Sequence, residues 1–599
     1  MNQRALSVPS LLTLLALSSV GCGASNVNST KGFNTEWQND NGQSIAAVEQ
    51  RLRGLPLVPN ARIVVALNDV GLVSASLDGQ ARWSHAGRPR TAPIIAGNLV
   101  IYGEGDQVVA LDARTGAPVW SIGNRGRTLR GAANDGANSA LVLADTHSSL
   151  FLGVSASGGS LGSAQSEADL GMPAARGGIA FVPWDHQYVS ALDLKTGDEA
   201  GRLLIRTQVS RGLNYGGTLY FGEQAIVRFD DKVRYASTNQ ANHVALPKVD
   251  LPGRPSWLDS GFSAVSSDTN ARAKIRIFAA PSAVSAGELR IGAGTFVATY
   301  FRVVFGLDAK SGGLSWVRAM PADIVGGAAA SSGFVLCDAS GKVWSIDSLG
   351  GDAGSLDLGS KVSLCEADAG ALPVPAAAAR GPLAMQIAEA FDALEPDMAE
   401  AQRYLVAQLG KLEDPIVTKT LIELSSSPRV PPELRTETRR LLSLRKNGSE
   451  YMLSALERHY DFVSGILLPP PVGPLADALA ASGDQRAAPL LAKHLNDPAN
   501  SAEDVAHAAH ALVKLATPAE YEDLRTFFAL YRATADDEAL VAAVVACAEA
   551  VLRIGGEPGR AVVERAAQDP LTQADVRREL PIVLSKSAPT VSAEAPAKK

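Results

Sequence analysis

A short hairpin motif recurs through residues 61–368 with a period of about 40, and such a period narrows the possible folds sharply. In "VVALDARTGAPVWSIG" (108–123) an apolar run stops at Asp112, passes Thr115 and Gly116, and resumes to reach Trp120. The β-branched run reads as a buried strand. Asp112 accepts hydrogen bonds from N–H groups just ahead and starts a turn. Gly116 takes φ > 0 at little steric cost and closes the hairpin loop. Trp120, on the return strand, covers neighbouring apolar surface. "VSALDLKTGDEAG" repeats the pattern with Asp193, Thr196 and Gly197, and "VFGLDAKSGGLSW" repeats it with Asp308, Ser311, Gly312 and Trp316. Shorter echoes occur at Asp78 with Trp83, at Asp230 with Tyr235 and at Asp347, while Ser155 fills the Asp place in "LGVSASGGSL". Successive marks lie 34, 43, 38, 37, 78 and 39 residues apart, and the widest gap leaves room for one unmarked unit near Asp268. Several short strands per repeat of this length define a β-propeller. Seven marks and a doubtful eighth give seven or eight blades, and the count leans to eight. The first unit, 61–87, has room for about three strands of the usual ~5–6 residues. "KVSLCEAD" (361–368) can supply the fourth, closing the ring and leaving no open edge.

These hairpins resemble the pyrroloquinoline-quinone-type propeller repeat, whose blades carry Ala-x-Asp-x-x-Thr-Gly-x-x-x-Trp and dock through the Trp. The resemblance covers 61–368 and is fullest at Asp112–Trp120 and Asp308–Trp316. At Asp193 the Trp is absent; at Asp78, Asp230 and Asp347 the Thr-Gly step is missing, which implies looser docking there. Trp83, Asp112, Thr115, Gly116, Trp120, Asp193, Thr196, Gly197, Asp308, Gly312 and Trp316 are therefore the expected blade-docking residues. Within this repeat family the chain is most similar to the lipoprotein propellers that assist outer-membrane β-barrel assembly.

At 599 residues the chain is too long for one ordinary domain. Its net charge of −7 and lack of basic blocks argue against a nucleic-acid partner, which needs clustered Lys and Arg. No apolar run reaches the ~20 residues needed to span a bilayer. "MNQRALSVPSLLTLLALSSVGCGASN" resembles a bacterial lipoprotein signal, with an ordinary secretory signal as the alternative. Ser19 stands where Leu is common. Cleavage before Cys22 would leave that residue carrying the lipid, and several acyl chains together give stable attachment. With Gly23 rather than Asp after it, the sorting rule of such lipoproteins implies the outer membrane, facing the periplasm. Export permits disulfides. A Cys337–Cys365 bridge would lock the ring; two buried thiols on separate strands are the other reading. Cys547 reads as a packed helix residue.

After the Pro/Ala linker 370–382, apolar residues recur at threes and fours, as at Leu383, Ile387, Phe391 and Leu394. From 475 to 584 the helix pairs resemble HEAT repeats, with Ser501 as an N-cap and Glu503 and Asp504 in the first turn. The organisation read from the sequence is a signal peptide (1–21), a tether (22–60), an all-β propeller (61–369), the linker (370–382), an all-α HEAT-like solenoid (383–586) and a disordered tail (587–599).

The chemistry of catalysis is hard to find. Quinone-dependent relatives use adjacent cysteines and a calcium site, and no two cysteines here are adjacent. His507 and His510, with Glu503 and Asp504 a turn away, have chelating spacing but read better as a polar helix face. "ILLPPPVGP" (466–474) is a connector or a polyproline ligand, and "RTETRRLLSLRK" (435–446) is a solvated face or a headgroup contact. The reading is a non-enzymatic, cofactor-free scaffold in envelope biogenesis. It would bind envelope proteins through its loops and blade edges, and the bilayer through its anchor. A propeller ligand sensor coupled to the helices is the runner-up, and a quinone-dependent dehydrogenase is third.

Overall fold

The computed structural model describes residues 33, 41–56, 58–205, 208–215, 218–222, 225–229, 243–247, 276–281, 289–292, 294–370, 373–395, 398–458 and 469–586. Cys22, Asp230, Tyr235, the unmarked unit near Asp268 and the tail 587–599 lie outside them. The chain divides into two compact units, Met1–Gly381 and Pro382–Lys599.

In the first unit the described residues form seven four-stranded blades, where the marks leaned towards eight. The second to seventh blades are consecutive antiparallel ribbons spanning 94–123, 128–166, 174–204, 211–245, 276–319 and 324–357. The first blade takes three strands from 63–86 and its fourth, Leu364–Ala367, from the far end of the unit. That strand runs antiparallel to Ile63–Leu67, with Val64 opposite Ala367. It also pairs in parallel with Ile324–Ala329 of the seventh blade, joining the two sheets. The two middle strands of a blade are buried on both faces, as in Ser139–Ala144 and Ser149–Val154, where every residue is buried. The outermost strand Arg82–Ala86 alternates exposed and half-buried residues, because one face meets water. Each described mark sits in the turn between the third and fourth strands of its blade: Asp78, Asp112, Ser155, Asp193, Asp308 and Asp347.

Two segments read as connectors are built into this unit. Within the expected tether, helix α1 (Asn41–Leu52) buries Ile45, Val48 and Leu52 in one cluster with Leu203 of the fourth blade and Phe221 of the fifth. Each such side chain gains roughly 1.5–3 kcal/mol on burial, enough to hold a 12-residue helix that would be marginal alone. Phe33 is also buried, edge-on to Trp184 with ring centroids 5.9 Å apart. The Pro/Ala linker lies along the seventh blade: Val374 N–H donates to Ser332 Oγ at 2.8 Å, and Ala377 N–H donates to Asp347 Oδ2 at 2.8 Å.

The second unit holds eleven further helices among the described residues: α2 (Leu383–Asp392), α3 (Ala399–Leu409), α4 (Ile416–Ser426), α5 (Pro432–Ser443), α6 (Ser449–Leu456), α7 (Val472–Ser482), α8 (Ala488–His494), α9 (Ala502–Leu515), α10 (Tyr521–Tyr531), α11 (Glu538–Gln568) and α12 (Ala574–Lys586). Packing skips alternate helices. One layer runs α2, α4, α6, α8, α10, and the other runs α3, α5, α7, α9, α11. That two-layer stacking is the arrangement of an α-solenoid. Breakers set the starts: Pro415 precedes α4, Pro431 precedes α5 and Gly448 precedes α6. Ser501 caps α9, its Oγ accepting from Asp504 N–H at 3.1 Å. By length and composition α11 passes for a membrane-crossing helix, but Glu549 and Arg553 interrupt it and no apolar run in it reaches ~20 residues. It is kinked at Gly556, and Ala543, Val544, Cys547 and Val551 are buried among its neighbours.

Candidate functional site: blade junctions and the axial cavity

The Asp-Thr-Gly hairpin is a set of local hydrogen bonds. Asp112 Oδ1 accepts from Thr115 N–H and Thr115 Oγ1, each at 2.8 Å, and from Arg114 N–H at 3.1 Å. Gly116 N–H donates to the Asp112 carbonyl at 2.8 Å, with Gly116 at φ 70°. Asp308 repeats this with Ser311 N–H and Oγ, both at 2.7 Å, followed by Gly312 at φ 73°. At Asp193 the side chain receives Lys195 N–H at 2.9 Å, and Gly197 closes the turn. Hydrogen bonds to these carboxylates favour the charged form. Those from Ser311 hold Asp308 below the usual carboxylate range, and those from Ser76 and Gln80 do the same for Asp78.

The same turns receive the tryptophans of the preceding blades. Trp83 lies flat on Gly116, where an added methyl would come within 2.6 Å of Cδ2, and Trp83 Nε1–H donates to the Ala113 carbonyl at 2.9 Å. Trp316 repeats this on Gly350, at 2.5 Å from Cδ2, and donates to the Ser348 carbonyl at 2.9 Å. Trp120 sits on Gly158, 2.7 Å from the position a methyl would take. At Gly116 and Gly350 the glycine thus leaves the space that the preceding blade's ring fills.

Junctions without a tryptophan are closed by other means. Between the third and fourth blades Gly162 meets the Thr196–Gly197 turn backbone to backbone, and its N–H donates to the Leu194 carbonyl at 3.1 Å. At the fourth, α1 packs on the strand Glu199–Leu204, where Trp would stand, and Arg51 pairs with Asp193 at 3.1 Å. Between the seventh and first blades the closing strand acts together with a Cys337–Cys365 disulfide, whose Cα atoms lie 6.3 Å apart. Asp368, just beyond, accepts from Asn60 Nδ2 at 2.7 Å and Ala61 N–H at 2.9 Å.

The innermost strands line two neighbouring cavities of about 890 and 690 Å³, counting space open to solvent. Both are lined by Arg211, Asn214, Glu366 and Asp368. Burial pushes Glu366 up to about 7, against the pull of Arg211 and Arg276. Burial also raises Asp368, and raises the Tyr215 phenol well above its ordinary value. Sequence reasoning missed this cluster. Its members come from strands far apart in the chain, and none sits in a motif; only the lone Glu inside the apolar closing strand hinted at it.

In the second unit His507 Nδ1 lies 2.9 Å from Asp477, and His510 is exposed on the same helix. Cations of the 435–446 stretch are already engaged: Arg439 with Asp504, Arg440 with Glu437, and Arg445 with the Leu412 and Asp414 carbonyls. The end of "ILLPPPVGP" forms the buried start of α7. Burial drives the Cys547 thiol far up, so it is a packing residue.

Turn, ring and glycine together define a β-propeller with PQQ-type repeat hairpins, carried in one chain with a two-layered helical unit. Residues 34–202 match the family described as outer membrane protein assembly factor BamB, a span holding α1 and most of the first four blades. No curated protein matches the chain. Among solved structures, BamB from Moraxella catarrhalis is 14% identical, covering 51% of this chain and 85% of its own, with a TM-score of 0.29. The designed Ika8 protein is 15% identical (46% and 90% covered, TM-score 0.28), and Sqt1 from Saccharomyces cerevisiae is 9% identical (50% and 83%, TM-score 0.32). Likenesses of this size carry no inference about function.

Proposed function

We propose that the chain is a scaffold that binds other proteins in envelope biogenesis, held at the outer membrane by lipid on Cys22 and facing the periplasm, with outer-membrane protein assembly as its setting. The match of 34–202 to the outer membrane protein assembly factor family carries this reading. The exposed outer strand Asp352–Asp357 offers a blade edge to which an extended client strand can add. The helical layers offer a second surface. Crosslinking with mass spectrometry in intact envelopes is the test: barrel-assembly components among the crosslinked partners support the reading, and their absence sinks it. Cys22→Ser is expected to move the protein from the membrane to the soluble fraction. Dye reduction that needs added quinone and calcium would replace the scaffold with an enzyme.

A further inference from the structure

We propose that the junction between the seventh and first blades holds an empty seat for the indole ring of a tryptophan on a partner protein. The repeat itself shows what such a seat takes. Trp83 of the first blade lies on Gly116 of the second, and Trp316 of the sixth lies on Gly350 of the seventh, each donating its indole N–H to a turn carbonyl. Gly79 is the matching residue of the first blade. Its N–H donates to the Ser76 carbonyl at 2.9 Å, as Gly350 N–H does to the Asp347 carbonyl at 3.1 Å, and its φ of 75° lies between their 70° and 82°. Yet nothing stands within 4 Å of a methyl added to Gly79. The seventh blade supplies no ring. In the second and sixth blades the bulge of the outer strand sets Trp120 opposite Ala110 and Trp316 opposite Gly306. In the seventh the same bulge sets Gly354 opposite Ser345, and a methyl added to Gly354 also meets nothing within 4 Å. By contrast Gly158 and Gly197, in the same place of the third and fourth blades, are covered by Trp120 and Ser163.

The chemistry of the notch fits an indole. The two blades share a core cluster, on which Leu77 of the first and Ala353 and Leu356 of the seventh are only partly buried. A ring laid over them removes that apolar surface from water. In the filled seats the indole N–H goes to the carbonyl just after the first turn residue, at Ala113 and at Ser348. Leu77, after Ser76, carries its counterpart. An aliphatic side chain would cover the glycine without a donor, whereas indole brings one donor and no acceptor to leave bare. Arg82 donates to the Asp357 carbonyl at 2.6 Å and ties the two blades together beside the notch. Gly79 and Gly354 are exposed, so a partner reaches the seat from solvent. That the ring comes from another protein rests on the scaffold reading; the seat itself does not.

The test is fluorine NMR of a ring-fluorinated N-acetyl-L-tryptophanamide titrated into the purified protein. A single ring binds weakly, so saturation is expected at millimolar probe. Unlabelled N-acetyl-L-tryptophanamide should displace the probe, and N-acetyl-L-leucinamide should not. Gly79→Ala, which sets a methyl under the ring, should weaken binding by about tenfold or more. Methylating the indole nitrogen of the probe should weaken it several-fold, through loss of one hydrogen bond. If Gly79→Ala does not fold, a diazirine analogue of the probe decides, with crosslinks expected within 77–82 and 353–357. Absence of saturable binding, which a ring of this chain already in place would cause, overturns the proposal. So do equal binding by Gly79→Ala and crosslinks confined to other blades. Envelope partners that crosslink equally to Gly79→Ala overturn the seat and leave the scaffold. Probe binding at the seat with no partner crosslinked in envelopes supports the seat and sinks the scaffold.

Discussion

Gly116 stands at φ 70° with the Trp83 ring against it, so two separate penalties meet there. Gly79 has a similar φ of 75° but nothing within 4 Å of an added methyl. Gly79→Ala should cost about 1–2 kcal/mol, the left-handed backbone penalty alone. Gly116→Val should cost about 2–5 kcal/mol, because overpacking adds to it. Denaturant unfolding of the two variants separates the terms; equal losses would mean that the ring does not press on the turn. Glu366 has the opposite character. Its folded value of about 7 lies above the ordinary 4.5, chiefly through burial, so the folded state holds the proton more tightly. Its contribution is therefore fully present below about 4.5 and lost as pH rises through about 7. Denaturation midpoints between pH 5 and 8 should fall with rising pH, and Glu366→Gln should flatten that slope. The lowered carboxylates, such as Asp308, act in the other direction and only under acid, below their ordinary 3.8.

Helix α1 shows what repeats cannot reveal. The hairpin marks announced the blades because a turn needs Asp and Gly, and docking needs Trp, at fixed offsets. The helix carries only Ile45, Val48 and Leu52 as large apolar residues, a pattern too sparse to distinguish from a tether. Its partner was nonetheless visible as a gap, since the fourth hairpin has its Thr-Gly step without a Trp. The structure fills that gap with the helix. Val48→Asp should destabilise the first unit by about 3 kcal/mol or more, the cost of an unpaired charge in that cluster. Leu52→Ala should cost about 2–4 kcal/mol. Thermal melts reading β-sheet signal check both, and unchanged melts would return the segment to the role of a tether. Cavity residues such as Tyr215 and Arg211 stayed hidden for another reason: convergence on an axis leaves no local spacing to read.

Ring closure belongs to the first unit as a whole. Three devices converge on it: the strand Leu364–Ala367, the Cys337–Cys365 bridge and the Asp368 clasp. The bridge spans 28 residues, which in the chain-entropy account is worth about 3 kcal/mol. Cys337→Ala with Cys365→Ala should lower unfolding stability of the first unit by that order and leave the helical unit's transition in place. A shared drop in both transitions would mean that the two units unfold as one. Elsewhere the ring relies on local plugs, so the double variant should weaken closure without abolishing the blades.

Val64 must wait for Ala367, about 300 residues further on, before its inner neighbour is in place. A chain delivered N-terminus first therefore exposes an unpaired edge on Ile63–Leu67 until nearly the whole unit has emerged. During that interval the edge is open to any extended peptide nearby, so a chaperone that shields strands has its natural point of action there rather than on the helices that follow.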